Sequence, residues 1–155
     1  MHVTNTTPQM QAFNAPIWLA LEDYALQHAR EDAMKISVFT GPYFSTKDPE
    51  IYGVRIPLAF WKVIVFIHDE TGQLCATGYE MNQETTLQPE EEFVFGAFTS
   101  SQLHVASQVT IRSIESRAGL SFGQLAGLDP LTGDEEGLGS EMRVPLQALE
   151  EIRFV

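Results

Sequence analysis

The chain has 155 residues, 44% of them apolar, which suits one domain with a real core and requires no second. Nine Lys and Arg against 21 Asp and Glu give a net charge of -12, a mean field that repels phosphate, so a nucleic-acid partner would need a basic face supplied locally or from elsewhere. No apolar run is long enough to span a membrane, Met1-His2-Val3 opens neither a basic nor an apolar signal region, and the single Cys75 excludes an internal disulfide or a cysteine-rich zinc site.

The first predicted element is a helix from about Ala15 to Met34. Asn14 is a favoured capping type and Pro16 sits where a first helical turn tolerates proline. Ile17, Trp18, Leu21, Tyr24, Ala25, His28 and Ala29 recur at the spacing of one buried face. Glu22 lies about 40° round from Trp18, which puts its carboxylate at the edge of the apolar stripe and not on the solvent side. Ile36 to Thr40 reads as a short strand closed by Gly41-Pro42, followed by a loop holding Lys47-Asp48-Pro49 and continuing through Tyr52-Gly53 to Pro57.

Phe60 to Ile67 is the most hydrophobic run, with Lys62 its one polar member, and predicts a strand buried on both faces at the centre of a sheet. Asp69 to Gly72 supplies a turn, and Gln73 to Met81 returns as the antiparallel partner. Asn82 to Glu92 reads as loop, Phe93 to Phe98 as another strand, and Val109 to Ala118 as a helix stopped at Gly119. Residues 123–143, rich in glycine and carrying the acid run Asp134-Glu135-Glu136, read as loop or a mobile arm. The tail around Val144-Pro145-Leu146, Leu149 and Ile152 forms either a short helix or a final extended piece. There is no internal repeat.

On residue type alone, Asn14 is a helix cap and Glu22 a boundary carboxylate paired with a cation such as Arg30. His28 falls on the apolar helix face, His68 ends a strand beside Asp69, His104 lies in a Ser- and Gln-rich stretch, and none is set up as a general base. Cys75 reads as a buried thiol. Gly53, Gly78 and Gly96 read as bulges within strand-like segments, and no phosphate loop or dinucleotide fingerprint is present.

Four blocks carry a resemblance. Thr4-Asn5-x-x-Pro8-Gln9 followed by Asn14-x-x-x-Trp18-x-x-Leu21-Glu22-x-Tyr24, then Val38 to Phe44, Ile56 to Val63 and Phe95 to Phe98, resemble in order and interval the DNA/RNA non-specific endonucleases, the ββα-metal nucleases that include endonuclease G. The resemblance covers residues 2 to about 128. It implies an α+β fold, an antiparallel sheet with packed helices. It further implies that Asn14 ligates a catalytic Mg2+ (or Mn2+ or another divalent cation) through its side-chain oxygen, that Glu22 holds cation-bound water, and that DNA and RNA are the substrates. The family's Asp-Arg-Gly-His motif, whose histidine is the general base, belongs upstream of Thr4 and does not occur in these 155 residues. The chain is therefore expected to be the carboxyl-terminal half of such a nuclease domain, incomplete at its amino terminus and inactive without the other half. The alternative from a different class is a catalytically inactive, nuclease-derived binding protein with an acidic surface.

Overall fold

The computed structural model of the chain describes residues 21–23, 35–68, 71–82, 106–132, 143–146 and 151–153. A five-stranded antiparallel sheet dominates them: β1 (Ile36–Tyr43), β4 (Ala59–Ile67), β5 (Leu74–Asn82), β6 (Ala106–Val109) and β7 (Arg143–Leu146), in that spatial order. β2 (Glu50–Ile51) and β3 (Val54–Arg55) make a separate miniature hairpin. Among the described residues the sheet is open, with β1 and β7 as its edges, and the architecture is α+β as expected.

Its centre is the hairpin of β4 and β5, in register from Ala59 opposite Asn82 to Ile67 opposite Leu74. Alternation then sorts the side chains. One face carries Phe60, Ile64, Phe66, Cys75, Tyr79 and Met81, and buries Leu21 from the helical residues 21–23 with Leu146 and Ile152 from the tail. The opposite face carries Trp61, Val63, Val65 and Ala76 beneath helix α1 (Ile111–Ala118), which contributes Ile111 and Ile114. β4 is thus buried on both sides, which is why its sequence is an unbroken apolar run save for Lys62.

α1 begins at Thr110, whose hydroxyl accepts from Ser113 N–H, and ends at the left-handed Gly119. Asp129, itself buried, accepts from the Ile111 N–H at 2.6 Å and the Leu131 N–H at 3.0 Å, so one carboxylate satisfies a free helix-end donor and closes the following turn.

The structure departs from the sequence expectations in several places. β1 does not stop at Thr40 but continues through Gly41-Pro42 to Tyr43. An edge strand can hold a proline whose missing N–H would face away from the ladder, and Gly41 leaves room for the Trp61 indole, whose ring lies 2.7 Å from where a Cβ would be. Val109 ends a strand and does not open the helix, which starts after the Thr110 cap. Gly53 is no bulge: it shares a two-residue turn with Tyr52, both at positive φ, between β2 and β3. Gly78 is no bulge either, since it sits in unbroken register with Val63 and Val109.

Residues 123–132 are not an arm. They form a 3-10 helix (Gly123–Gly127) and a further turn that bury Ala126 and Leu131. Of the tail, Val144-Pro145-Leu146 takes the extended alternative, as part of β7, while Glu151 lies in a 3-10 turn. After it, the fully buried Gln108 side chain donates to the Arg153 carbonyl at 2.7 Å and accepts from the Arg153 N–H at 2.9 Å, standing in for a strand edge. The strand expected over Phe93 to Phe98, the loop before it and Leu149 lie outside the described residues. Among the described residues no helix is long and apolar enough to cross a membrane.

Candidate functional site

Leu21 is fully buried on the sheet face that carries Phe60 and Ile64, and the next residue, Glu22, is brought to the edge of that contact. Waiting there is Lys62. It shares its face of β4 with Phe60 and Ile64, has no solvent exposure, and places Nζ 2.8 Å from Glu22 Oε1. The Glu22 side chain remains 42% exposed, so the pair runs from a dry lysine to a wet carboxylate. Burial pulls the Lys62 ammonium below its usual pKa, and the hydrogen bond and charge of Glu22 push it back up. An unpaired ammonium at this depth costs several kcal/mol, and the Glu22 carboxylate offsets part of that cost.

The boundary position expected of Glu22 is therefore observed, but the cation paired with it comes from β4, forty positions along the chain. Arg30 lies outside the described residues, as do Asn14, His2, His28 and His104. Lys62 is the site residue that the sequence reading passed over. Its signal was there, as the lone cation in an otherwise apolar strand. His68 follows β4 at the start of the hairpin connection, its backbone N–H donating to the Gln73 carbonyl. Six residues from Lys62 at ~3.3 Å each, it lies about 20 Å from Glu22's partner, too far to serve this site. Cys75 is buried, which raises its thiol pKa, and it fits the unreactive role expected of it.

A second polar arrangement occupies the opposite face. Glu80, 4% exposed on β5, binds Arg117 from the last turn of α1 through Oε2 and Arg143 from β7 through Oε1. The Arg117 guanidinium also lies 4.0 Å from the centroid of the Tyr43 ring. One buried carboxylate thus ties a helix end and an edge strand to the sheet.

Burial drives the Tyr43 hydroxyl up to about 12, against the pull of Arg117 and Arg143, and no acceptor among the described residues reaches it. Since the folded pKa exceeds that of the unfolded chain, this contribution to stability is whole below pH ~10 and is lost as pH rises towards about 12, at no more than about 1.4 kcal/mol per pH unit. Tyr43→Phe should therefore flatten the alkaline limb of a stability-pH curve while leaving neutral-pH stability unchanged or higher. Urea unfolding at a series of pH values checks it, and an unaltered alkaline limb would contradict it.

An antiparallel sheet with the helical residues 21–23, bearing Glu22, on one face is consistent with the α+β fold of the ββα-metal nucleases. The chain belongs to the DNA/RNA non-specific endonuclease family, whose profile matches residues 1–127. It is also similar to a protein of Sinorhizobium fredii (strain NBRC 101917 / NGR234) described as "Uncharacterized protein y4fB", with 39% identity over 83 residues, or 52% of this chain. The matched stretch spans 12% of that larger protein. No solved structure matches the chain.

Proposed function

We propose that the chain carries the metal side of a divalent-cation-dependent endonuclease that hydrolyses phosphodiester bonds in DNA and RNA. Asn14 would hold the cation through its side-chain oxygen, and Glu22 would orient a water bound to it. The observation that carries this reading is the setting of Glu22: a carboxylate fixed on one oxygen by a buried lysine yet still open to water.

Among the described residues no three His, Cys, Asp or Glu side chains gather to hold a metal ion. A magnesium centre of this kind needs no such cluster, because a hard cation takes one or two protein oxygens and keeps several waters. One amide oxygen from Asn14 and a water-holding carboxylate from Glu22 are donors of the type such a cation takes. When bound, the cation supplies charge stabilisation to the phosphate and the leaving oxygen. What these 155 residues do not supply is the Asp-Arg-Gly-His segment, so the proton acceptor has to come from outside them.

A plasmid-nicking assay with Mg2+ tests the proposal on the purified chain, on the chain joined to a family segment bearing Asp-Arg-Gly-His, and on that joined protein with Asn14→Ala. Loss of a general base typically costs ~10² to 10⁴ in rate, so the chain alone should nick at least about a hundredfold more slowly than the joined protein. Asn14→Ala should abolish the gain, and binding should weaken steeply with salt. Strong nicking by the chain alone would overturn the absence of a base, and nicking that survives Asn14→Ala would remove the metal assignment. The net charge of -12 favours a second reading, an inactive nuclease-derived protein whose acidic surface meets a basic partner. A joined protein that stays inactive would select it.

A further inference from the structure

We infer that Lys62 is a positioning residue for the cation site: it acts through Glu22, holding one carboxylate oxygen so that the rest of the carboxylate faces the cation-bound water in a fixed orientation. The inference rests on the proposed roles of Asn14 and Glu22 and adds to them a residue on a different element.

The argument begins with what is costly about Lys62. Its neighbours on the same sheet face are Phe60, Ile64 and Leu21, where an apolar side chain would pack without the desolvation cost of an ammonium. If the only need were to hold the helical segment on the sheet, Leu21 already does so from a fully buried position. A charge retained in such a place acts directly on the carboxylate it touches, at 2.8 Å.

The anchor is also rigid. β4 is flanked by β1 and β5, and Lys62 lies in register with Thr40 on one side and Tyr79 on the other, so its backbone is held from both directions. A glutamate at a helix edge ordinarily samples several rotamers. At 2.8 Å from a buried ammonium, Glu22 Oε1 is restrained, and the orientation of the exposed remainder of the carboxylate is restricted with it. Groups that orient the residues around a metal in this way are worth ~10- to 100-fold in metal affinity.

The test titrates the full chain with Mn2+ and follows water-proton relaxation, after melting curves without cation have shown that each variant folds. Lys62→Met keeps the length and apolar character of the side chain and leaves Glu22 hydrated, so the fold should persist. Its Kd for Mn2+ should rise about tenfold, with part of the loss recovered by Lys62→Arg. In a Glu22→Gln background Lys62→Met should add nothing, because the lysine acts through the carboxylate. A Kd within twofold of wild type for Lys62→Met overturns the inference, and so does a loss that adds to that of Glu22→Gln. Glu22→Gln supplies a reading that does not depend on the lysine variant folding: an unchanged Kd there leaves nothing for Lys62 to position and overturns the inference as well. Asn14→Ala separates the two levels. Abolished binding with an unaffected Lys62→Met sinks only the role of Lys62, whereas binding unaltered by Asn14→Ala sinks the metal assignment on which that role depends.

Discussion

Val65→Asp should unfold the chain, whereas Gln73→Lys, at an exposed position in the connection between the same two strands, should leave its unfolding midpoint unmoved. Val65 lies on β4 between Ser37 of β1 and Ala76 of β5, and belongs to the buried cluster beneath α1. Losing the valine removes roughly 1.5 to 3 kcal/mol of burial, and a carboxyl group in its place has no partner in an apolar layer, which costs about 2 kcal/mol or more. Together these come to about 3.5 to 5 kcal/mol or more, enough to remove most of the stability of a domain near the lower end of the usual range of roughly 5 to 15 kcal/mol. Urea unfolding followed by circular dichroism decides it. Coincident midpoints for the two variants would mean that the hairpin is not the centre of the core.

That hairpin was legible because local chemistry and global position agree. Phe60 to Ile67 is apolar at both alternating phases, which in a short run bounded by turn residues means a strand covered on both faces, and the strand observed there is so covered. β6 was not legible for the opposite reason. Its four residues, Ala106 to Val109, include Ser107 and Gln108, both buried, and the Gln108 side chain is satisfied by the backbone of Arg153, 45 positions away. Nothing local distinguishes such a glutamine from a solvent-facing one. Pro42 misled because a proline ends a central strand but not an edge strand, and which strand is at the edge is a property of the finished sheet.

The candidate site divides along the same line. Glu22's place at the boundary of an apolar stripe follows from helical periodicity, and Lys62 stands out as a lone charge in an apolar run. That the two meet is a fact of tertiary packing, since 40 residues separate them. Local spacing instead pointed to a partner on the same helix. The Glu80 cluster shows the point again: its two arginines come from a helix end and an edge strand, and the sequence around Tyr79-Glu80-Met81 is that of an ordinary strand.

Gly78→Val should cost more than about 3 kcal/mol and lift α1 from the sheet. The reason is space and not backbone conformation. Gly78 is opposite Val63 on one side and Val109 on the other, and a Cβ there would lie 2.6 Å from the Val109 carbonyl oxygen, 3.0 Å from Ile114 Cδ1 and 3.4 Å from Ile111 Cγ1. The first contact is with backbone held in the β5–β6 ladder, so the strand cannot move aside without giving up hydrogen bonds. The other two are the residues that seat α1, and branched methyl groups would press directly on both. Overpacking of this kind costs about 1 to 3 kcal/mol where side chains can yield, and more where the obstacle is main chain. Gly78→Ala should already exceed that range, because its Cβ meets the Val109 carbonyl oxygen, and Gly78→Val should cost more still. Hydrogen exchange at Ile114 and Gly119 gives the local reading, because their N–H groups close the first and last turns of α1 onto the Thr110 and Glu115 carbonyls. Both should lose protection in Gly78→Val before the β4–β5 ladder does. A Gly78→Val protein with wild-type stability and protected α1 amides would mean that the helix does not bear on β5 as the structure places it.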